Sequence, residues 1–200
     1  MNRLLQNLRD HNDKKFIKIS SEASRDIAWF TKFVDKFNGR SIFIKDKVDH
    51  DIHLDACPKG VGAIFQNFVY QARFLAKMAA WDIATLEMMN ILMALRQRKQ
   101  DWEAKSIEIF CDNLAVVTVL QTGRTRDKIL GMISRNIFML AAKFDIYLKV
   151  SHVPGKKNII TDLLSRWENL DIQKQTLQKL VPSGQWVHLQ DHNFDLDEKI

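Results

Sequence analysis

Four carboxylates stand out by where they sit. Asp55 falls in the middle of an alternating run, Ile52-His53-Leu54-Asp55-Ala56, although aspartate is depleted in strand interiors and needs solvent, a partner or a task there. Asp112 follows directly on the apolar run 107–111, and Glu87 lies in the nearly all-apolar stretch 83–95. Asp162 stands four residues before Arg166. Each has an ordinary reading on its own. Asp55 would share the exposed face of an edge strand with Asp51 and His53, and Asp112 would cap a helix. Glu87 would join Asn90, Ala94 and Arg98 in a solvated stripe, and Asp162 would pair with Arg166 at the surface. Together they are acids at a strand middle, a strand end and two helices, and sites gather where strand ends meet helix starts. Carboxylates crowded into one cleft repel, so they take up protons or recruit divalent cations. Hard oxygen ligands suit Mg2+ or Mn2+, which bridge phosphate oxygens. Two such ions about 4 Å apart clamp the attacking and leaving oxygens of a phosphodiester.

The elements that must position these acids follow from periodicity. Residues 1–18 are charged and aperiodic. A helix is predicted over 22–37, with Ser21 as cap and Ile27, Phe30, Val34 and Phe37 at helical spacing. Asn38-Gly39 stops it, and a short strand, 41–44, precedes a charged turn, 45–50. From Asp51 the period becomes two: strands at 51–57, 61–68 and 70–75 form a meander around Pro58-Lys59-Gly60. Then come a long helix at 83–99, a strand at 106–111, helices at 113–121 and 127–143, a strand at 146–150 and a helix at 159–167. The order β-β-β-α-β-α-α-β-α predicts an α/β fold, a mixed sheet flanked by helices. After Trp167 the periodicity ends, and the last ten residues are acidic.

Composition sets the outer bounds. Two hundred residues suit one ordinary domain with an appendage. The 46% hydrophobic and 27% charged content argues against wholesale disorder. Two cysteines, Cys57 and Cys111, cannot build a disulfide framework and suit a reducing compartment. No apolar run is long enough to span a membrane, and the first residues lack the apolar core of a secretory signal. The expectation is an intracellular protein of the cytoplasm or nucleus, with no membrane partner. A net charge of +6 and a pI near 9.3 suit a polyanion.

The segments IHLDACPKGVGAIF, LEMMNILMALR, IFCDNLAVV and HVPGKKNIITDLLSRW carry a resemblance. In that order they look like the ribonuclease H domain of retrotransposon reverse transcriptases, of gypsy-like and especially DIRS-like elements. The resemblance implies a ribonuclease H-like five-stranded sheet, three strands antiparallel and then two parallel. It implies that Asp55, Glu87, Asp112 and Asp162 are the catalytic acids and hold two Mg2+ ions, with Mn2+ able to substitute. His152 matches the family's mobile histidine, and histidine side chains can carry protons at neutral pH. The implied reaction is endonucleolysis of the RNA strand of an RNA–DNA hybrid during reverse transcription. Arg124, Arg126, Lys156 and Lys157 would contact phosphates.

On this resemblance, 51–168 is the ribonuclease H-like domain. Residues 1–50 resemble the connection to a polymerase domain of the same polyprotein, the expected partner, and 169–200 are a C-terminal extension. The pattern departs from the family in two places. Cys57 stands where the family often has Ser, and the link 121–127 has no room for the basic protrusion of cellular ribonucleases H. Two rival functions remain: a non-catalytic scaffold binding nucleic acid or protein, and a nuclease of the same fold that cuts DNA. A zinc site from His50, His53 and Cys57 matches no common zinc spacing.

Overall fold

The computed structural model describes residues 19–37, 47–66, 68–74, 78, 80–166, 175, 179 and 185–189. The expectations for 1–18, the Asn38-Gly39 stop, the strand at 41–44, the turn residues 45–46, Leu75, Trp167 and the acidic end lie outside them. The chain divides into two compact units, Met1–Gly39 and Arg40–Ile200. In the first, helix α1 spans Ser21–Phe37. Its cap is Ser20 rather than Ser21: the Ser20 Oγ accepts the Ala23 N–H at 3.1 Å, the reach of an N-cap hydroxyl to the third helical amide.

The second unit is built on a sheet of β1 (His50–Cys57), β2 (Gly60–Phe65), β3 (Phe68–Arg73), β4 (Ser106–Cys111), β5 (Tyr147–His152) and β6 (Gln185–Leu189). The helices are α2 (Ile83–Arg98), α3 (Leu114–Thr122), α4 (Lys128–Lys143) and α5 (Ile159–Arg166), with a 3-10 turn at Gly155–Lys157. Strand order is β5-β4-β1-β2-β3-β6. β1, β2 and β3 pair antiparallel, and β4 and β5 continue in parallel from β1. The expected five-stranded mixed sheet is therefore present. β6 extends it, parallel to β3, with Phe68 opposite Gln185. The loss of periodicity after Trp167 gives no sign of this strand.

Several boundaries move for local reasons. β2 ends at Phe65, which pairs with Phe68, because Gln66 turns the chain at a φ of 50°. β5 runs on through Ser151 and His152, which pair with Phe110 and Cys111. α3 starts after Asn113, whose Oδ1 accepts the Ala115 and Val116 N–H groups, and it ends at Gly123 in the left-handed region, φ 66°. Asp127 caps α4 through the Ile129 and Leu130 amides.

Strand alternation sends Ile52, Leu54, Ala56, Val61, Ala63 and Phe65 into the main core with α2. α4 packs on α2, so residues 85–95 of that helix are all buried. The opposite face of β1 and β2 carries α5. There Leu164, with Ile160 and Leu163, packs against Val69 and Ile64. Burying a side chain such as Leu164 contributes roughly 1.5–3 kcal/mol. Contact is close because Gly62 has no side chain: a Cβ there would lie 2.3 Å from the Leu164 Cβ and 2.8 Å from the Thr161 carbonyl oxygen.

Candidate active site

Asp55 sits on β1, which lies between β2 and β4 and is not an edge strand. Its residue is 7% exposed, which corrects the solvated-face reading. The side chain points to the α5 face, where its Oδ2 accepts the Ser165 hydroxyl proton. The strand beneath is held by two amides. Asn90 Nδ2 donates to the Asp55 carbonyl at 2.8 Å and to the Gly62 carbonyl at 3.1 Å. Asn158 Nδ2 donates to the Leu54 carbonyl at 2.8 Å.

Glu87 reaches the same place from the other layer. It is 2% exposed, and Asn90 and Ala94 are buried with it, so the expected solvated stripe does not exist: this face of α2 lies against β1 and β2. Glu87 Oε1 accepts the Ala56 N–H at 3.0 Å. Asp112 follows β4 and is partly exposed. The capping task assigned to it belongs to Asn113, which leaves its carboxylate available. Gly155 packs against that carboxylate, a Cβ there falling 3.0 Å from Asp112 Oδ2. Asp162, on the first turn of α5, pairs with Arg166 at 2.8 Å as the spacing predicted, and both also line the cleft. Asp55, Glu87, Asp112, Asp162, Cys57 and Arg166 are among the residues lining one cleft of about 550 Å3.

Crowding alters the proton affinity of the acids. Burial, reinforced by the charges of Asp112 and Asp162, pushes the Asp55 carboxyl up to about 6, against the pull of the Ser165 bond and Arg166. Burial and the charges of Asp55 and Asp112 hold Glu87 well above the usual carboxylate range, opposed by the Ala56 N–H. Burial and Asp162 raise Asp112, while His152 lowers it. Cys111 lies beneath them, its Sγ 4.0 Å from Glu87 Oε2. Burial and Glu87 push its thiol up, so it stays protonated. Donor atoms of Glu87, Cys111 and Asp112 lie within 4.8 Å of one another. Asp55 and Asp162 stand outside that tight group on the same cleft. Hard oxygen donors that repel one another in a half-buried cleft fit a divalent cation.

The other expected residues divide. His152 is exposed at the end of β5, with Nε2 3.1 Å from the Asp112 carbonyl oxygen, which brings it to the rim. Lys156 and Lys157 are exposed on the 3-10 turn after it. Arg124 and Arg126 are exposed in the link between α3 and α4. None of these four cations lines the cleft. The zinc reading fails, since its groups are engaged apart: His50 meets Gln66, His53 stacks on Phe110, and Cys57 donates to the Ser165 carbonyl. Ser165, Asn90 and Asn158 were missed as supports. No local signal marks them, because their partners lie far away along the chain.

No protein-family model and no curated protein matches the sequence. Solved structures do resemble the chain. One is the RNase H1 of the halophilic archaeon Halobacterium salinarum NRC-1, 18% identical over 57% of this chain and 92% of that one, with a TM-score of 0.47. A second is LC11-RNase H1, isolated from compost by a metagenomic approach, 15% identical over 59% and 93%, TM-score 0.49. A third is an N-terminal RNase H domain from Mycobacterium tuberculosis, solved as a fusion with maltose-binding protein. It is 13% identical over 57% and 95%, TM-score 0.42.

Proposed function

We propose that the cleft hydrolyses the RNA strand of RNA–DNA hybrids, as part of the reverse transcription of a retroelement. The observation that carries this reading is the convergence of Asp55, Glu87, Asp112 and Asp162, from two strands and two helices, on one cleft. Bound divalent cations, Mg2+ or Mn2+, would supply charge neutralisation and an activated water. Asp55 and Asp112 would hold both ions. Glu87 keeps Oε2 for one of them, since Oε1 is taken by the Ala56 amide, and Asp162 would complete the other site. His152, on the rim beside Asp112, would exchange a proton with solvent. Reading the ribose 2′-hydroxyl separates RNA from DNA, a task for Glu87 at the floor of the cleft. Arg124, Arg126, Lys156 and Lys157 would meet phosphates beyond it, making binding salt-dependent. The segment resemblance supports a polymerase domain of the same polyprotein as partner.

The test is cleavage of a labelled RNA–DNA hybrid in Mg2+ or Mn2+, beside double-stranded DNA and single-stranded RNA. Hybrid-specific products that disappear in Asp112→Asn, with circular dichroism unchanged, are expected. Binding without cleavage in either metal would identify a scaffold, and cutting of duplex DNA a different nuclease.

A further inference from the structure

We infer that Ser165 is a positioning residue that holds the Asp55 carboxylate ready for a divalent cation. This rests on the metal-dependent reading of the cleft. Ser165 is 0% exposed, and its hydroxyl bonds the Asp55 carboxylate across the interface between α5 and β1. The hydroxyl has one proton to give. Its Oγ also lies 3.0 Å from the Asp162 carbonyl oxygen, but an ionised carboxylate is the stronger acceptor.

The serine is itself held in place. Its carbonyl accepts the Cys57 thiol at 3.0 Å. Its helix is tied to the sheet by Gln71 Nε2 on the Leu164 carbonyl at 2.6 Å and by Asn158 Nδ2 on the Leu54 carbonyl at 2.8 Å. The donor is therefore in position before any ion arrives. An ionised carboxylate offers about four acceptor positions. Ser165 takes one on Oδ2 and fixes the rotation of the group, leaving the other acceptor positions for an ion in the cleft that Asp55 lines. One short helix thus supplies both a cleft acid, Asp162, and the hydroxyl that orients another. Hydrogen bonds that orient a ligating carboxylate typically govern metal affinity by about 10–100-fold.

The experiment titrates the full chain with Mg2+ and separately with Mn2+ by calorimetry at pH 8. Wild type is compared with Ser165→Ala and Ser165→Cys, both near-isosteric, the second keeping a weak donor. The expected result is ion binding weakened about 10–100-fold in S165A and by an intermediate factor in S165C, with thermal unfolding in EDTA still cooperative. On hybrid substrate at fixed Mg2+, kcat falls in the same order while KM changes less than about threefold, a split that mere loosening of the helix would not give. Should S165A fail to fold, S165C alone carries the comparison. Wild-type binding matched by both variants, or a loss confined to KM, overturns the inference and leaves the nuclease reading standing. A wild type that binds neither ion overturns the nuclease reading, and the inference with it.

Discussion

Asp55→Asn is expected to stabilise the metal-free protein while abolishing the proposed hybrid cleavage. In the fold the Asp55 carboxyl titrates at about 6, against an ordinary value of 3.8, chiefly because it is buried. A raised value means that the folded state holds the proton more tightly than the unfolded chain. The associated stability is complete below about pH 3.8 and is lost as pH rises through about 6. Carried through, ionised Asp55 costs about 3 kcal/mol at pH 7.5. Asparagine removes that charge and keeps an oxygen to accept the Ser165 proton. For a chain of this size the gain corresponds to about 6–12 °C in melting temperature. The assay is thermal unfolding in EDTA from about pH 4 to pH 8. The variant's advantage should be absent near pH 4, grow through pH 6 and level off above it. Adding Mg2+ at a hundredfold excess over its Kd should return about 2.7 kcal/mol to wild type and much less to the variant. Curves that stay parallel across the pH range, or a variant less stable than wild type at pH 7.5, would refute the reasoning.

Three further outcomes are expected. Gly62→Ala forces a Cβ into the Leu164 side chain and should cost roughly 1–3 kcal/mol in urea unfolding, with weakened Mg2+ binding as α5 is pushed outward. Gly155→Ala crowds Asp112 Oδ2 on an exposed turn. Its kcat should fall about tenfold through misplacement of that acid, with a melting temperature within about 2 °C of wild type. Replacing Lys156 and Lys157 together by Gln should weaken hybrid binding and lower the logarithmic salt slope by about one to two, measured by fluorescence anisotropy.

What could be read from the chain was what is local or periodic. Alternation around Asp55 gave β1, and the apolar run before Asp112 gave β4 within its observed bounds. Burial was legible only where one layer decides it. Glu87 reads as solvated because its stripe includes Asn90 and Arg98, and only the packing of that face of α2 on β1 and β2 reverses this. The Ser165–Asp55 bond joins residues 110 positions apart, and nothing near either residue announces it. β6 is five residues whose parallel partner, β3, lies in the first half of the chain, so a local window sees only a tail. Asp112 and Asn113 are both good caps, and neighbours of equal propensity are separated by geometry alone.

The halves of the cleft are anchored unequally. The helix that carries Glu87 and the strand before Asp112 belong to the large core, whereas Asp162 and Ser165 ride on eight residues backed by a small apolar cluster. Fluctuations that lift so short a segment cost far less than melting the sheet, since proteins open in cooperative pieces of differing stability. An intact sheet can therefore coexist with a dismantled cleft. On warming, loss of the proposed hybrid cleavage is expected to report the departure of α5 before it reports denaturation, and whatever clamps that helix to β1 and β2 will set the temperature up to which the cleft stays assembled.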